Sequence, residues 1–351
     1  MLHRRGREAV DHELLFILNP VAGHGRSQRV LARLQAALAN RWGLRAVTWS
    51  TSGPGHAREL ALRAAREGYT RIVAVGGDGT VHEVLNGLME AGPQLLARLA
   101  LGVVPAGSGN DFARNLGIPA QPQALADRLV GESRGRIDVG LVNGRYFGNV
   151  AGVGFDAEVA ALANRLPKYV PGTLTYVGGA LAMLARYRNA RVSLVLDGTP
   201  LQRRVLLVAV GNGACYAGGM IICPGARMDD GRFRVVVAGD LTRLEVLRVL
   251  PTIYRGGHVG HPKVEVFDAA DVVISADRQL FVQADGEIVG TTPASLRILP
   301  RALQIIGMRR EAGADGALTQ GPAAAACSGG ALPQAQESRG NGASPRRQKP
   351  A

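Results

Sequence analysis

Ile72-Val73-Ala74-Val75-Gly76-Gly77-Asp78-Gly79-Thr80-Val81-His82-Glu83-Val84-Leu85-Asn86-Gly87-Leu88-Met89 is the stretch that decides the fold. Its first four residues form a short β-branched run, which reads as a buried strand. Three glycines then surround a single carboxylate, Asp78. Glycine permits positive φ and close backbone approach, so this is a tight turn. From Val81 the apolar residues recur at helical spacing. A strand, a glycine turn and a helix start together aim free N–H groups at an anion. Asp78 inside such a loop repels phosphate unless a cation or a transferable proton is present. The economical inference is a nucleotide phosphate bound with Mg²⁺. The loop is neither a Gly-x-x-x-x-Gly-Lys phosphate loop nor a Gly-x-Gly-x-x-Gly dinucleotide fingerprint.

The same alternation extends on both sides of this stretch. Residues 14–18 read as a strand, 19–26 as a turn and 30–38 as an amphipathic helix. A strand at 45–49, a loop at 50–55 and a helix at 56–66 follow. Beyond the opening stretch, a strand at 101–104 runs into Pro105-Ala106-Gly107-Ser108-Gly109-Asn110-Asp111-Phe112. Strands alternating with helices imply right-handed crossovers and a mostly parallel sheet. Ligands in such sheets lie outside the carboxyl ends of the strands, where these turns converge.

Near Arg136 the character changes to many short strands separated by Gly, Asp or Pro turns, the pattern of an antiparallel β domain. They are expected at 137–142, 146–152, 192–196, 204–211, 234–238, 264–267, 272–275 and 280–284, with 295–298 and 302–306 closing the ordered region. Helical patterns interrupt them at 157–166, 173–188 and 244–254. The apolar, small-residue stretch 169–187 reads as a core helix, with a lipid-facing wall as the alternative. From about residue 311 the chain is rich in Ala, Gly, Gln, Ser and Pro, without apolar periodicity, and reads as a disordered tail. The expected organisation is therefore a flexible 1–13, an α/β unit at 14–135 with a return segment at 295–308, a β-rich unit at 136–294, and a tail at 311–351.

Composition narrows the partners. Of 351 residues, 41 are Lys or Arg and 28 are Asp or Glu, a net charge of +13 that favours a polyanionic partner. Nucleic acid, anionic membrane and phosphorylated substrate all satisfy that charge, and an arginine-rich genome would also produce it. No RNA-binding aromatic signature or zinc-finger spacing is present, so no specific nucleic acid is expected. Cys215, Cys223 and Cys327 lack metal spacing and suit a reducing cytoplasm. No apolar run approaches the roughly 18 residues of a membrane span, so membrane contact is expected to be peripheral. His24, His56 and His82 lie near the phosphate loops without metal-ligand spacing and read as polar loop residues. Pairing with a second copy, as a homodimer, is left open.

The motifs, in this order, resemble the diacylglycerol kinase catalytic-domain superfamily, which includes bacterial lipid kinases and sphingosine and ceramide kinases. The matching residues are Asn19-Pro20 with Gly23, Thr51 ahead of Gly55-His56-Ala57, and Gly76-Gly77-Asp78-Gly79-Thr80 with Glu83 and Asn86. Pro105-x-Gly107-Ser108-Gly109-Asn110-Asp111-Phe112-Ala113 follows, then Gly117-Ile118-Pro119, Asp138-x-Gly140 and Gly152-x-Gly154-Phe155-Asp156. Cys223-Pro224 to Asp230-Gly231 and Asp285-Gly286-Glu287 complete the set. The resemblance covers roughly residues 14–307. It implies an NAD-kinase-like N-terminal α/β domain and a C-terminal antiparallel β-sandwich-like domain, with ATP and lipid meeting in the cleft between them.

The resemblance also implies roles. Asn19, Thr51, Gly76, Gly77, Asp78, Gly79, Thr80, Glu83, Gly107, Ser108, Asn110 and Asp111 would form the nucleotide site, with Asp78 reaching the phosphates through Mg²⁺. Thr48 competes with Thr51 if the loop is shifted, and Asn110 or Asp111 has helix capping as an alternative. Glu287 would take the proton from the lipid hydroxyl, with Asp285 orienting it or sharing a metal water. Without the resemblance, Asp285-Gly286 is an ordinary hairpin turn. Asp230, with the main-chain carbonyls of Arg227 and Arg232, would hold a structural Mg²⁺. Asp138 would join the active-site or metal network, or pair with an arginine in the core. The implied activity is ATP-dependent phosphorylation of a lipid hydroxyl at the inner face of the cell membrane, with diacylglycerol as preferred acceptor. A sphingoid base, ceramide or other lipid alcohol is the alternative acceptor. NAD kinase and a non-catalytic nucleotide- or nucleic-acid-binding protein are more remote readings.

Overall fold

The computed structural model describes residues 14–131, 134–163 and 183–308. The expected flexible N-terminus, the tail and most of the 169–187 stretch lie outside the described residues, as does Cys327. Chain order begins β1 (Leu14–Leu18), α1 (Arg26–Trp42), β2 (Val47–Ser50), α2 (His56–Glu67), β3 (Arg71–Gly76) and α3 (Asp78–Met89). It continues α4 (Pro93–Leu96), β4 (Ala100–Pro105), α5 (Asp111–Asn115) and α6 (Pro122–Val130). Strands β2, β1, β3 and β4 pair in parallel in that order. Every residue of β1 is buried, as are the last five of β3, because helices cover the sheet. The α/β reading of this half holds.

The second half runs β5 (Arg134–Val142), β6 (Arg145–Phe147), β7 (Val150–Gly154), α7 (Phe155–Ala163), β8 (Ala190–Leu196), β9 (Thr199–Val205) and β10 (Leu207–Gly211). Then come β11 (Phe233–Ala238), α8 (Arg243–Val249), 3-10 turns at Leu250–Arg255 and Gly257–Gly260, and β12 (Val264–Ala269). The last strands are β13 (Asp271–Ala276), β14 (Phe281–Ala284), β15 (Glu287–Thr291) and β16 (Ala294–Ile306). Six of these strands form an antiparallel sheet in the order β12-β11-β10-β7-β14-β15. The others extend the first sheet to ten strands, through β16, β13, β8 and β9, with β5 on β16 and β6 on β5. The antiparallel end of the large sheet packs on the six-stranded sheet, with Phe147, Val210, Phe233, Ile274 and Leu296 in the core between them.

Three strand readings change in the fold. Residues 204–211 are two strands in different sheets, separated at Leu206. Mostly exposed β9 lies at an edge, whereas every residue of β10 is buried. Residues 146–152 break at Gly148 and Asn149, whose amides turn to Asp285. Residues 295–306 form one strand, β16, with an irregularity between Leu299 and Leu303. Its start pairs with β13 and its end pairs in parallel with β4, so it stitches the halves together. A boundary at 135/136 would fall inside β5, and the two units share one sheet.

Candidate active site

Three glycine turns meet at the carboxyl edge of β1, β3 and β4. Gly23 has φ +58°, and a Cβ there would lie 2.2 Å from the Ala106 carbonyl oxygen. A Cβ on Gly107 would lie 2.4 Å from the Gly77 Cα. Only glycine permits this backbone-to-backbone contact. Asn19 Nδ2 donates to Thr80 Oγ1 (3.1 Å), tying the first turn to α3. Asn110, in the left-handed region, closes its own turn: its Oδ1 accepts from Gly107 N and its Nδ2 donates to Gly107 O. Its amide is thereby committed to loop shape rather than left free for a ligand. Ser108, between them, is exposed at the cavity rim.

Asp78 and Asp111 face one another across Gly109, where a Cβ would lie 2.7 Å from Asp78 Oδ2 and 3.4 Å from Asp111 Oδ2. Asp78 Oδ1 accepts from Phe112 N (3.0 Å) in the first turn of α5. Asp111 Oδ2 accepts from Gly218 N (2.7 Å), and its Oδ1 accepts from the Arg114 guanidinium. Burial pushes the Asp78 carboxyl from the ordinary 3.8 up to about 7, with the Asp111 charge and then Asp285 adding to it. Burial also raises Asp111, opposed by the Gly218 amide and Arg114. Two crowded carboxylates beside the glycine turns fit a bound cation with phosphate better than phosphate alone.

Asp285 opens the turn between β14 and β15, with φ +51° there and +90° at Gly286, the left-handed pair of a two-residue hairpin. Its carboxylate is held from two directions. Oδ1 accepts from Asn149 N (2.8 Å) and Val150 N (3.2 Å), and Oδ2 accepts from Gly148 N (2.8 Å). His82 Nδ1 lies 3.1 Å from Oδ2. His82 is therefore a buried side chain of α3 and not the polar loop residue its sequence position suggested. Asn86, one turn on, donates to the Tyr146 carbonyl and accepts from Tyr146 N, fixing α3 to β6.

Asp78, Asp111 and Asp285 line one end of a cavity of about 200 Å³. Much of the remaining wall is apolar, with Phe155, Val159, Leu206, Leu207, Val236, Val246 and Ile253 among its residues. Asp156 and Gln283 stand within it. Gln283 Nε2 donates to Asp156 Oδ2 (3.2 Å), while its Oε1 accepts from Gly286 N (2.8 Å) in the Asp285 hairpin. Burial pushes the Asp156 carboxyl up to about 6. Asn149, Asp156, Gln283 and His82 were not among the expected site residues. Asp156 carried a signal in the Gly-Phe-Asp motif and His82 stood beside the Asp78 turn; Asn149 and Gln283 carried none.

The remaining expectations divide. Glu83 does not face the cavity: its carboxylate accepts from Gly55 N (2.8 Å) and Ala57 N (3.0 Å), capping α2, so it positions the loop that carries Thr51. Thr51 sits at the carboxyl end of β2, whereas Thr48 accepts from Gln35 of α1 within that strand. Glu287 begins β15, is exposed, and lies beside Asp285 without lining the cavity. Asp138 is buried and holds backbone, not an arginine side chain: it accepts from Gly231 N (2.7 Å) and Arg301 N (2.6 Å). It thus pins the 227–232 loop to the bend in β16. In that loop Asp230 is exposed and accepts from Arg232 N (3.1 Å), and Arg227 pairs with Asp229. Burial raises the Asp230 carboxyl, and the Asp229 charge adds to it. Among the described residues no group of three or more His, Cys, Asp or Glu side chains forms a ready cation site. A cation at Asp230 would therefore depend on main-chain carbonyls and water.

A glycine-turn edge with paired carboxylates, opening on an apolar chamber, defines a class that comparison with known proteins makes specific. The diacylglycerol kinase catalytic domain model matches residues 13–142, and the YegS C-terminal NAD kinase beta sandwich-like domain model matches 149–307. The chain is 35% identical to a diacylglycerol kinase of Mycobacterium tuberculosis (strain H37Rv) over 300 residues, 84% of this chain and 94% of the relative. It is 31% identical to a diacylglycerol kinase of Staphylococcus carnosus over 289 residues, 82% of this chain and 93% of the relative. A crystal structure of a candidate diacylglycerol kinase from Bacillus anthracis superposes with TM-score 0.67 at 26% identity, covering 84% of this chain and 97% of that one. The chain belongs to the diacylglycerol kinase catalytic-domain superfamily and is a lipid kinase.

Proposed function

We propose that this enzyme transfers the γ-phosphate of ATP to the free hydroxyl of diacylglycerol, giving phosphatidate and ADP. The observation that carries this reading is a cavity with an acidic end at Asp78, Asp111 and Asp285 and an apolar body. A triphosphate fits the first and an acyl lipid the second. The relatives named diacylglycerol kinase support the same acceptor.

The turns at Gly23, Gly77 and Gly107, with the Thr80 hydroxyl, bind phosphate oxygens through amides other than Gly107 N, which Asn110 holds, and Arg26, which donates to Gly107 O, stands beside them. Asp78 and Asp111 would hold Mg²⁺ against the phosphates, and Asp230 with the Arg227 and Arg232 carbonyls would hold a structural one. Bound there, Mg²⁺ supplies neutralisation of phosphate charge. Asp285, with both oxygens engaged, fixes the hairpin. Glu287 takes the hydroxyl proton from the turn that Asp285 fixes. The lipid oxygen bonds to the γ-phosphorus as the bond to the ADP oxygen breaks, and Glu287 releases the proton to water. The enzyme works in the cytoplasm, on the inner face of the cell membrane. No helix among the described residues is long and apolar enough to cross a bilayer, and the +13 charge supports docking on anionic lipid.

The test is Mg²⁺-dependent transfer from γ-labelled ATP to diacylglycerol, monoacylglycerol, ceramide and sphingosine in mixed micelles, with NAD in solution and Glu287→Gln as control. Labelled phosphatidate, lost in the control, is expected. Label on another lipid moves the acceptor; label on NAD alone overturns the lipid assignment.

A further inference from the structure

Three large apolar side chains lie exposed in one short segment: Leu244 (66%), Leu247 (45%) and Tyr254 (38%). They belong to α8 and the 3-10 turn Leu250–Arg255 that continues it. The other exposed large apolar residues among those described, Val21, Trp42 and Val273, lie in separate regions of the chain. Single exposed apolar residues need no explanation, but a cluster does.

This segment has two faces. Val246, Val249, Leu250 and Ile253 line the cavity. Leu244, Leu247, Arg248, Pro251 and Arg255 recur at helical spacing and are exposed. Arg243 is exposed at the start of the same face. The one acid in the segment, Glu245, is occupied: it closes a capping box with Thr242 and pairs with Lys263 Nζ at 2.8 Å. Its charge is thereby matched by Lys263.

We propose that the outward face of residues 243–255 is the surface by which this enzyme docks on an anionic bilayer. Leu244, Leu247 and Tyr254 enter the boundary between headgroups and acyl chains, and Arg243, Arg248 and Arg255 meet lipid phosphates. Apolar side chains interleaved with arginine are the chemistry of an interfacial helix. A second copy is a poorer occupant, because a two-fold contact would set this arginine-bearing face against itself. Nucleic acid would leave the leucines without an apolar partner. The choice of a bilayer rests on the lipid-kinase reading, and the geometry adds that the docking element is itself a wall of the cavity. The acceptor lipid is thus taken up beside the membrane contact.

The test is co-sedimentation of the full chain with vesicles of phosphatidylcholine alone or mixed with phosphatidylglycerol. The variants are Leu244→Glu/Leu247→Glu and Arg243→Gln/Arg248→Gln/Arg255→Gln. Melting temperature, size-exclusion mass and turnover on a short-chain diacylglycerol in solution are read in parallel. The wild type should bind the anionic vesicles preferentially. Each variant should bind them at least about tenfold more weakly, with melting and soluble-substrate turnover unchanged. Equal binding by both variants, or no vesicle binding by the wild type, overturns the proposal. So does a wild-type dimer that the leucine variant turns into a monomer. Anionic vesicle binding lost in the variants, with no lipid phosphorylated by the wild type, would sink the kinase reading and leave this surface standing.

Discussion

His82 Nδ1 and Asp285 Oδ2 lie 3.1 Å apart although 203 positions separate them in the chain. This contact joins the helix that begins at Asp78 to the hairpin that carries Glu287. It brings the glycine-turn edge and the β-rich half together around one cavity.

Asp285→Ala leaves the amides of Gly148, Asn149 and Val150 without their acceptor. Each buried unsatisfied donor costs about 1–3 kcal/mol, so unfolding free energy should fall by at least about 2 kcal/mol. Urea denaturation checks this, and an unchanged midpoint would mean that water replaces the carboxylate. His82→Ala should move stability less, because it loosens the hairpin without orphaning those amides, and turnover should fall in both variants.

Glu287→Gln removes the proposed proton acceptor at an exposed position. Turnover should fall by about 10²–10⁴-fold with the melting temperature unchanged. A change confined to KM would assign the proton to another group.

Gly107→Ala places a Cβ 2.4 Å from the Gly77 Cα and must push the phosphate loops at Gly77 and Gly107 away from each other. The KM for ATP should rise by more than about tenfold, the loss of one or two good phosphate contacts. Gly53→Ala, with nothing within 4 Å of the added carbon, is the control and should behave as wild type.

Asp156 has a carboxyl that burial raises from 3.8 to about 6. An acid with a raised folded value contributes stability that is fully present below pH 3.8 and is lost as pH rises through about 6. Asp156→Asn removes that dependence while its amide oxygen can still accept from Gln283. Relative to wild type, the variant should gain stability between acid and neutral pH. Denaturation midpoints across that range check the sign, and parallel curves would show that Asp156 does not titrate there.

Much of the glycine-turn edge was legible because its signals are local. A β-branched run, a glycine turn and an apolar helical period occupy consecutive residues, so Asp78, Gly79 and Thr80 could be placed before any fold was known. Glu83 and Asn110 show the limit of that reading. Their positions in the motifs were clear, but their hydrogen bonds go to backbone amides and carbonyls of the turns, which makes them builders of the site. The run 204–211 shows another limit. Apolar content marks a strand, but it does not reveal that the chain passes from one sheet to the other at Leu206.

By itself, the sequence determined the parallel α/β half, the β-rich half and the glycine turns at the strand ends, because strand, turn and helix propensities act over a few neighbouring residues. Only the tertiary structure decided that Asp285 is anchored by β7 and His82, that Asp138 holds backbone, and that residues 243–255 show one face to the cavity and another to solvent. Those outcomes depend on which surfaces sheet pairing and burial bring together, and no local pattern encodes a contact across 203 residues.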